Sequence, residues 1–312
     1  MLYSLHQCVL WACAALLLAG LGCRSAQSTS GAPRRVYNDE LKRRVAVVPN
    51  PPRIVSLAPN LTEMLFALGL GERVVAVTSY CDYPAAALSK EKIGSTLQPN
   101  LERLIALKPD LVIVSTASQL EGLAQQLERL NIPLYITNPR TVRDVLASIR
   151  HVGEVTGAVA QAEQLAAALD ERIQRVEQRV AQQPKPRVFF VLQLAPLITA
   201  GRNTFLNDML ALAGGASISG AESADYPQFS REAVIARAPE FIIAPAMHGD
   251  GALGDKELQQ AFAATPAVRN QRIVRIHPDL TSRPGPRLID GLEQLADALH
   301  PQQEPSVGPK KP

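Results

Sequence analysis

The residue types that most often carry out catalysis stand isolated in this chain of 312 residues. Beyond residue 23 the histidines are His151, His248, His277 and His300, and none has a recognisable catalytic partner. Cys81 lies within the run Ser-Tyr-Cys-Asp-Tyr-Pro, which supplies no neighbouring base. We find no phosphate-binding glycine loop, dinucleotide fingerprint or nucleophile elbow. The sequence therefore predicts a protein that is not an enzyme.

The cysteines indicate export and lipid attachment instead of a metal site. Residues 9–19 are apolar, and the small residues that follow them end at Cys23. This run is shorter than the roughly 20 residues that a permanent membrane helix needs, so it predicts a signal peptide over residues 1–23. Lipidation of Cys23 would anchor an exported protein to the membrane, in the periplasm or at the cell surface. Simple signal cleavage and an uncleaved anchor are the alternatives.

One cysteine remains in the body of the protein once the signal peptide is removed. Cys81 then has no partner for an intramolecular disulfide, and no cysteine and histidine stand at zinc-ligand spacing. We expect no metal site and no resident cofactor.

Two glutamates occupy matching places in two similar segments. Residues 100–113 and 230–243 each contain a helix-capping residue, an acid two positions later, an apolar helix face, a proline, a second acid and an apolar strand. The first acids are Glu102 and Glu232, which we expect in the first turn of their helices, where the helix dipole favours a carboxylate. One such carboxylate commonly stabilises only its own helix. The repetition favours a shared role on the protein surface.

The elements that position these residues alternate between strand and helix. Strands are predicted at residues 53–57, 74–78, 111–115, 134–137, 188–192, 241–244 and 273–276, with helices at 60–68, 100–107, 122–130, 207–213, 231–237 and 287–299. This order predicts an α/β fold of two related lobes, each a mainly parallel sheet with flanking helices. Residues 141–156 predict one helix, and residues 158–182, which lack proline and glycine, predict a long rigid linker helix. One large sheet is the alternative.

Composition sets the remaining expectations. With 46% hydrophobic and 20% charged residues the chain is an ordinary globular protein, and 32 basic against 29 acidic residues give a net charge of +3. This balance predicts no nucleic-acid partner. The predicted domains are a flexible tether over 24–51, an N-terminal lobe over 52–140, connecting helices over 141–185, a C-terminal lobe over 186–300 and a disordered tail over 301–312.

Several motifs resemble one family of transport receptors. They are Ser-Tyr-Cys-Asp-Tyr-Pro at 79–84, Gln-Pro-Asn-Leu-Glu-Arg at 98–103, Leu-Lys-Pro-Asp-Leu-Val at 107–112, Pro-Leu-Ile-Thr-Ala-Gly at 196–201 and Tyr-Pro-Gln-Phe-Ser-Arg-Glu at 226–232. Together with residues 279–287, they resemble the helical-backbone class of periplasmic binding proteins of ABC importers, and within it most closely the vitamin B12-binding family. The resemblance spans about residues 52–300.

The resemblance implies a ligand site between the lobes. The positions that match ligand-contacting residues of the family are Tyr80, Leu97, Tyr226, Asp279 and Arg283, and the implied ligand is cobalamin or a related corrinoid. The family's B12 receptor has tryptophans where this chain has Leu97 and Ser115, which leaves room for a ferric siderophore, haem or another metal chelate. For Asp279 and Arg283 a plain surface ion pair is the alternative.

The resemblance also implies partners. Glu102 and Glu232 match the acids that dock onto arginines of a permease dimer, which works with an ATPase, and the receptor is expected to be a monomer. A small closure of the lobes is expected on binding, because the linker helix is rigid. Two alternatives from other classes are a membrane-anchored adaptor, which would lack a deep cleft, and an enzyme-like relative of the fold.

Overall fold

The computed structural model describes residues 33–96, 98–115, 121–246 and 254–301. The predicted signal peptide, Leu97, His248 and the tail after residue 301 lie outside the described residues. The described residues from Arg34 onward belong to one compact unit. All the described buried residues lie between Asp39 and Leu299, so this unit contains the whole described core.

A β-hairpin precedes the first lobe. Strands β1 (Arg35–Asn38) and β2 (Arg44–Val47) pair antiparallel, and Val45 and Val47 are buried. The hairpin contacts the next sheet, since the backbone N–H of Glu40 donates to the carbonyl of Ile136 at 3.0 Å. The prediction of a flexible tether is therefore wrong from Arg35 onward, because alternating apolar residues in β2 bury one face of the hairpin.

The N-terminal lobe contains a five-stranded parallel sheet. Its elements, in chain order, are β3 (Ile54–Ser56), α1 (Pro59–Ala67), β4 (Val74–Val77), β5 (Glu91–Lys92), α2 (Leu101–Ala106), β6 (Leu111–Ser115), α3 (Glu121–Arg129) and β7 (Leu134–Thr137). The strand order is β5-β4-β3-β6-β7, with every pair parallel. Strand β6 is buried along its whole length, as expected for a sheet covered on both faces.

Two helices connect the lobes. Helix α4 (Val142–Thr156) begins with a capping box between Thr141 and Asp144 and ends at Gly157, whose φ of 80° suits glycine. Helix α5 (Val159–Val180) has 22 residues and is therefore about 33 Å long. Its buried side chains recur every three or four residues and pack against α4 and the C-terminal lobe. This is the long linker helix that the sequence predicts.

The C-terminal lobe repeats the architecture on a smaller sheet. Its elements are β8 (Arg187–Phe190), β9 (Gln193–Leu194), β10 (Leu197–Ile198), α6 (Phe205–Leu212), β11 (Ala216–Ser217), α7 (Arg231–Arg237), β12 (Phe241–Pro245), α8 (Asp255–Ala261), α9 (Pro266–Arg269), β13 (Ile273–Ile276), α10 (Asp279–Ser282) and α11 (Leu288–Leu299). Strands β11-β8-β12-β13 form a parallel sheet, and β9 and β10 form a separate hairpin.

The same local contacts recur in both lobes. Arg53 donates its backbone N–H to Asp110 at 3.1 Å and its Nε to the carbonyl of Leu107 at 2.8 Å. In the second lobe Arg187 donates its backbone N–H to Glu240 at 2.9 Å and its Nε to the carbonyl of Ala238 at 3.0 Å. These paired contacts, together with the two parallel sheets, confirm the prediction of two related α/β lobes.

Candidate ligand-binding cleft

A cavity of about 680 Å³ lies between the lobes, within the size range of small-molecule sites. On the N-terminal side it is lined by residues at or after the carboxyl ends of parallel strands, among them Tyr80, Ser115 and Asn138. On the C-terminal side it is lined by the start of α6, by residues of α10 and by residues of the connecting loops. Ligands of parallel α/β sheets bind at this edge, so the topology itself places a binding site here.

Two tyrosines from opposite lobes line this cavity. Tyr80 follows β4 and is 62% exposed, whereas Tyr226 comes from the loop before α7 and is 52% exposed. Burial of its phenol, together with the neighbouring Asp225, raises the pKa of Tyr226. Both side chains therefore present an apolar ring face and a polar hydroxyl to whatever enters the cleft.

Asp279 and Arg283 also line the cavity, and they belong to a larger cluster of charges. Arg283 contacts Asp279 at 2.9 Å in its own lobe and Asp82 at 2.7 Å in the other lobe. The hydrogen bond from Arg283 holds the pKa of Asp82 below its usual value. The geometry is therefore compatible with both expectations for Asp279 and Arg283. They line the cleft, as a ligand contact requires, and they also form an ion pair.

The centre of this cluster is a buried carboxylate that the sequence did not single out. Glu63 on α1 is 2% exposed at its side chain and accepts from Arg287 at 2.8 and 2.6 Å and from Arg283 at 3.1 Å. Arg287 also lies 4.0 Å above the ring of Tyr83. We call Glu63, Asp82, Asp279, Arg283 and Arg287 the inter-lobe ion cluster, because it joins carboxylates of one lobe to arginines of the other.

A second ion pair crosses the cleft at another point. Arg140, two residues beyond Asn138 at the end of β7, contacts Asp225 of the C-terminal lobe at 2.5 Å. Both residues line the cavity. The sequence did not predict this pair, although the position of Arg140 just beyond a parallel strand is a signal that could have found it.

The two glutamates of the matching segments occupy the predicted helical positions. Glu102 lies in the first turn of α2, whose cap Asn100 accepts from the backbone N–H of Arg103, and Glu232 lies in the first turn of α7, capped by Ser230. Both glutamates are exposed. A hydrogen bond from its own backbone N–H lowers the pKa of Glu232, which stays ionised at neutral pH. Neither lines the cavity.

The remaining candidate groups are placed as follows. Cys81 is buried, and its Sγ lies 3.1 Å from the hydroxyls of Thr62 and Thr78. His277 is exposed, and its Nδ1 lies 3.9 Å from a carboxylate oxygen of Asp279. Among the described residues no group of three histidines, cysteines or acids is arranged to hold a metal ion. No helix in the described part of the chain has the length and apolar character that crossing a bilayer requires.

Comparison with known proteins identifies a family and a fold. The family described as "Periplasmic binding protein" matches residues 54–280. An uncharacterised ABC transporter substrate-binding lipoprotein, YvrC of Bacillus subtilis (strain 168), is 32% identical over 92% of this chain and 94% of its own length. The periplasmic vitamin B12 binding protein BtuF of Vibrio cholerae superposes with a TM-score of 0.72 at 29% identity, covering 80% of this chain and 97% of that one.

A haem-binding structure matches equally well. The periplasmic heme-binding protein RhuT from Roseiflexus sp. RS-1 has a TM-score of 0.72 at 31% identity, covering 79% of this chain and 97% of that one. The matches confirm the resemblance and the prediction that the chain is a binding protein instead of an enzyme. They include receptors for more than one kind of metal macrocycle.

Proposed function

The chain belongs to the periplasmic binding protein family, and from that premise we propose that it captures cobalamin or a related corrinoid for an ABC importer. The observation that carries this proposal is the cavity of about 680 Å³ lined from opposite sides by Tyr80 and Tyr226. Two aromatic faces with polar tips suit a large, flat and partly polar ring system. A cavity of this size between the lobes also argues against a purely structural adaptor.

The charge balance of the cleft favours a corrinoid over an anionic ligand. The two described arginines of the lining, Arg140 and Arg283, each contact a carboxylate, at 2.5 Å for Arg140 and at 2.7 and 2.9 Å for Arg283. A ligand with free carboxylates would have to compete with these carboxylates for the two arginines. The corrin ring carries neutral amide side chains, so it requires no such exchange.

Haem is the second candidate. The haem-binding relative supports it, and a tyrosine hydroxyl is a known type of axial ligand for haem iron. Tyr80 and Tyr226 are the groups of the described lining that could take this role. The two propionates of haem would then compete with Asp225, Asp279 or Asp82 for the arginines.

Delivery would use the surface glutamates of both lobes. We assign Glu102 and Glu232 to docking onto cationic groups of a permease dimer, which is coupled to its ATPase. Their exposure and their equivalent places on the two lobes support this role, because a two-fold partner needs matching contacts on each half. Leu97, which lies outside the described residues, stays a proposed ligand contact.

Export and anchoring complete the proposal. The lipoprotein name of the Bacillus relative supports lipidation at Cys23, and an anchored monomer could then reach a permease in the same membrane. Mass spectrometry of the mature protein tests this directly. A lipid-modified N-terminal cysteine is expected, and an unmodified N-terminus at another residue would contradict it.

Ligand binding tests the central part of the proposal. Residues 24–312, which contain the whole compact unit, would be titrated by calorimetry with cyanocobalamin, cobinamide, haemin and a ferric siderophore. We expect a corrinoid to bind one to one with a Kd below about 1 µM and haemin to bind more weakly. Binding of haemin or the siderophore alone would keep the transport role and overturn the corrinoid assignment.

Docking is tested separately from binding. The double variant Glu102→Ala/Glu232→Ala is expected to lose uptake in cells while its ligand affinity remains that of the unmodified protein. A matched control replaces Glu72 and Glu171, two acids outside the docking helices. Lost ligand binding in the docking variant, or unchanged uptake, would refute the docking assignment.

A further inference from the structure

The β1–β2 hairpin carries a group of cations that neither the ligand site nor the docking residues use. Arg35, Lys42 and Arg44 are exposed, and none of them has an ion pair among the described residues. Within the described part of the chain, Arg34 donates only to the carbonyl of Asn131, at 3.5 Å. The hairpin therefore presents several uncompensated positive charges over a short stretch of chain.

The acids of the hairpin are already engaged. Asp39 is buried and accepts from the Nε of Arg43 at 2.8 Å. Glu40 accepts from the backbone N–H of Asn138 and lies 3.3 Å from the ring of His151. A surface cavity next to the hairpin is lined by one acid, Glu128, and by three arginines, Arg34, Arg43 and Arg44. The exposed side chains of the hairpin thus keep a net positive charge.

Two exposed apolar side chains accompany these cations. Val36 on β1 is 53% exposed, and Leu41 in the turn is 43% exposed, next to Lys42. Cations beside exposed aliphatic side chains suit a surface that carries phosphate groups above hydrocarbon. A purely acidic protein surface would complement the charges but not the two apolar side chains.

From this combination we propose that the β1–β2 hairpin docks on an anionic phospholipid bilayer. The position of the hairpin in the chain supports this occupant. If Cys23 is lipidated, as proposed above, Arg34 lies 11 residues from the anchor and at most about 40 Å from the bilayer. At that distance the anchored domain meets the lipid surface repeatedly, and the hairpin fixes which side of the N-terminal lobe faces the membrane.

Vesicle binding by residues 24–312 tests the surface without the lipid anchor, so its outcome is independent of Cys23. The chain is expected to co-sediment with vesicles of equal parts phosphatidylglycerol and phosphatidylcholine, and much less with phosphatidylcholine alone. The triple variant Arg35→Gln/Lys42→Gln/Arg44→Gln should lower the partition coefficient about 100-fold, since each cation near an anionic surface contributes about 5-fold. Raising the ionic strength should weaken binding of the unmodified chain.

A matched control removes the same charge elsewhere. The variant Lys185→Gln/Lys256→Gln/Arg269→Gln removes three exposed cations of the second half of the chain and should bind within about 3-fold of the unmodified protein. The substituted side chains of both variants are exposed, so thermal unfolding should match the unmodified chain. Equal losses in the two variants, or equal binding to both kinds of vesicle, would overturn the proposal.

Discussion

The inter-lobe ion cluster makes a quantitative prediction about what holds the lobes together. Glu63 receives two hydrogen bonds from Arg287 and one from Arg283, and its side chain is almost fully buried. Replacing it by glutamine preserves the size of the side chain but removes the charge. Arg283 then keeps the carboxylates of Asp82 and Asp279, whereas Arg287 keeps that of Asp279.

The magnitude follows from the contacts. Removing one partner of a fully buried pair costs about 3–5 kcal/mol. The guanidinium groups here are partly exposed and retain other carboxylates, so we expect Glu63→Gln to lower the free energy of unfolding by about 3 kcal/mol. The pairwise coupling of Glu63 with Arg287 should be about 2 kcal/mol, because both hydrogen bonds are charge-assisted.

A double-mutant cycle measures this coupling. Urea unfolding of the unmodified protein, Glu63→Gln, Arg287→Gln and the double variant isolates the pairwise contribution. The matched control is the exposed pair Arg150 and Glu163, which is also bidentate, at 2.8 and 3.1 Å. Its coupling should be much smaller than that of Glu63 and Arg287, because solvent screens it. A Glu63–Arg287 coupling no larger than that of the control would refute the reasoning.

Two further predictions concern charge and pH. Asp225→Asn removes the carboxylate that contacts Arg140, so the affinity for haemin should rise about 5-fold while the affinity for cyanocobalamin stays within about 3-fold. Calorimetry measures both affinities. Equal changes would contradict the claim that the paired arginines disfavour an anionic ligand. The hydrogen bond from His151 to Glu40 raises the pKa of His151, so its stabilisation is complete below pH 6.5 and is lost as pH rises through the folded-state value. The difference in free energy of unfolding between the unmodified protein and His151→Gln should therefore shrink between pH 6 and pH 8. The decrease should be less than about 1 kcal/mol, because the ring is half exposed. A difference that stays constant in urea unfolding would contradict this prediction.

The main elements of the fold were predictable because local signals marked their ends. Strands β6 and β7 coincide with the strands predicted at 111–115 and 134–137, and α4 coincides with the helix predicted at 141–156 to within one residue. The β1–β2 hairpin was missed because charged residues of both signs interrupt its sequence. Its buried positions, Val45 and Val47, are too few to produce a strong apolar pattern.

The site was predictable only in part. The resemblance placed Tyr80, Tyr226, Asp279 and Arg283, and all four line one cavity. Glu63 could not be found this way, because its partner Arg287 lies 224 residues away and the contact exists only once the lobes are packed together. A sequence specifies such a pair through tertiary packing, which no local pattern records.

The measurement that tests the central claim most directly is the affinity for cyanocobalamin of the unmodified chain and of Tyr80→Ala/Tyr226→Ala. Both tyrosines are more than half exposed, so the double variant should fold normally. The account predicts saturable one-to-one binding that weakens at least about 50-fold in the variant, since each aromatic contact contributes at least about 1 kcal/mol plus its buried area. No binding by the unmodified chain, or equal affinity in the variant, would contradict the claim that this cleft is a corrinoid site.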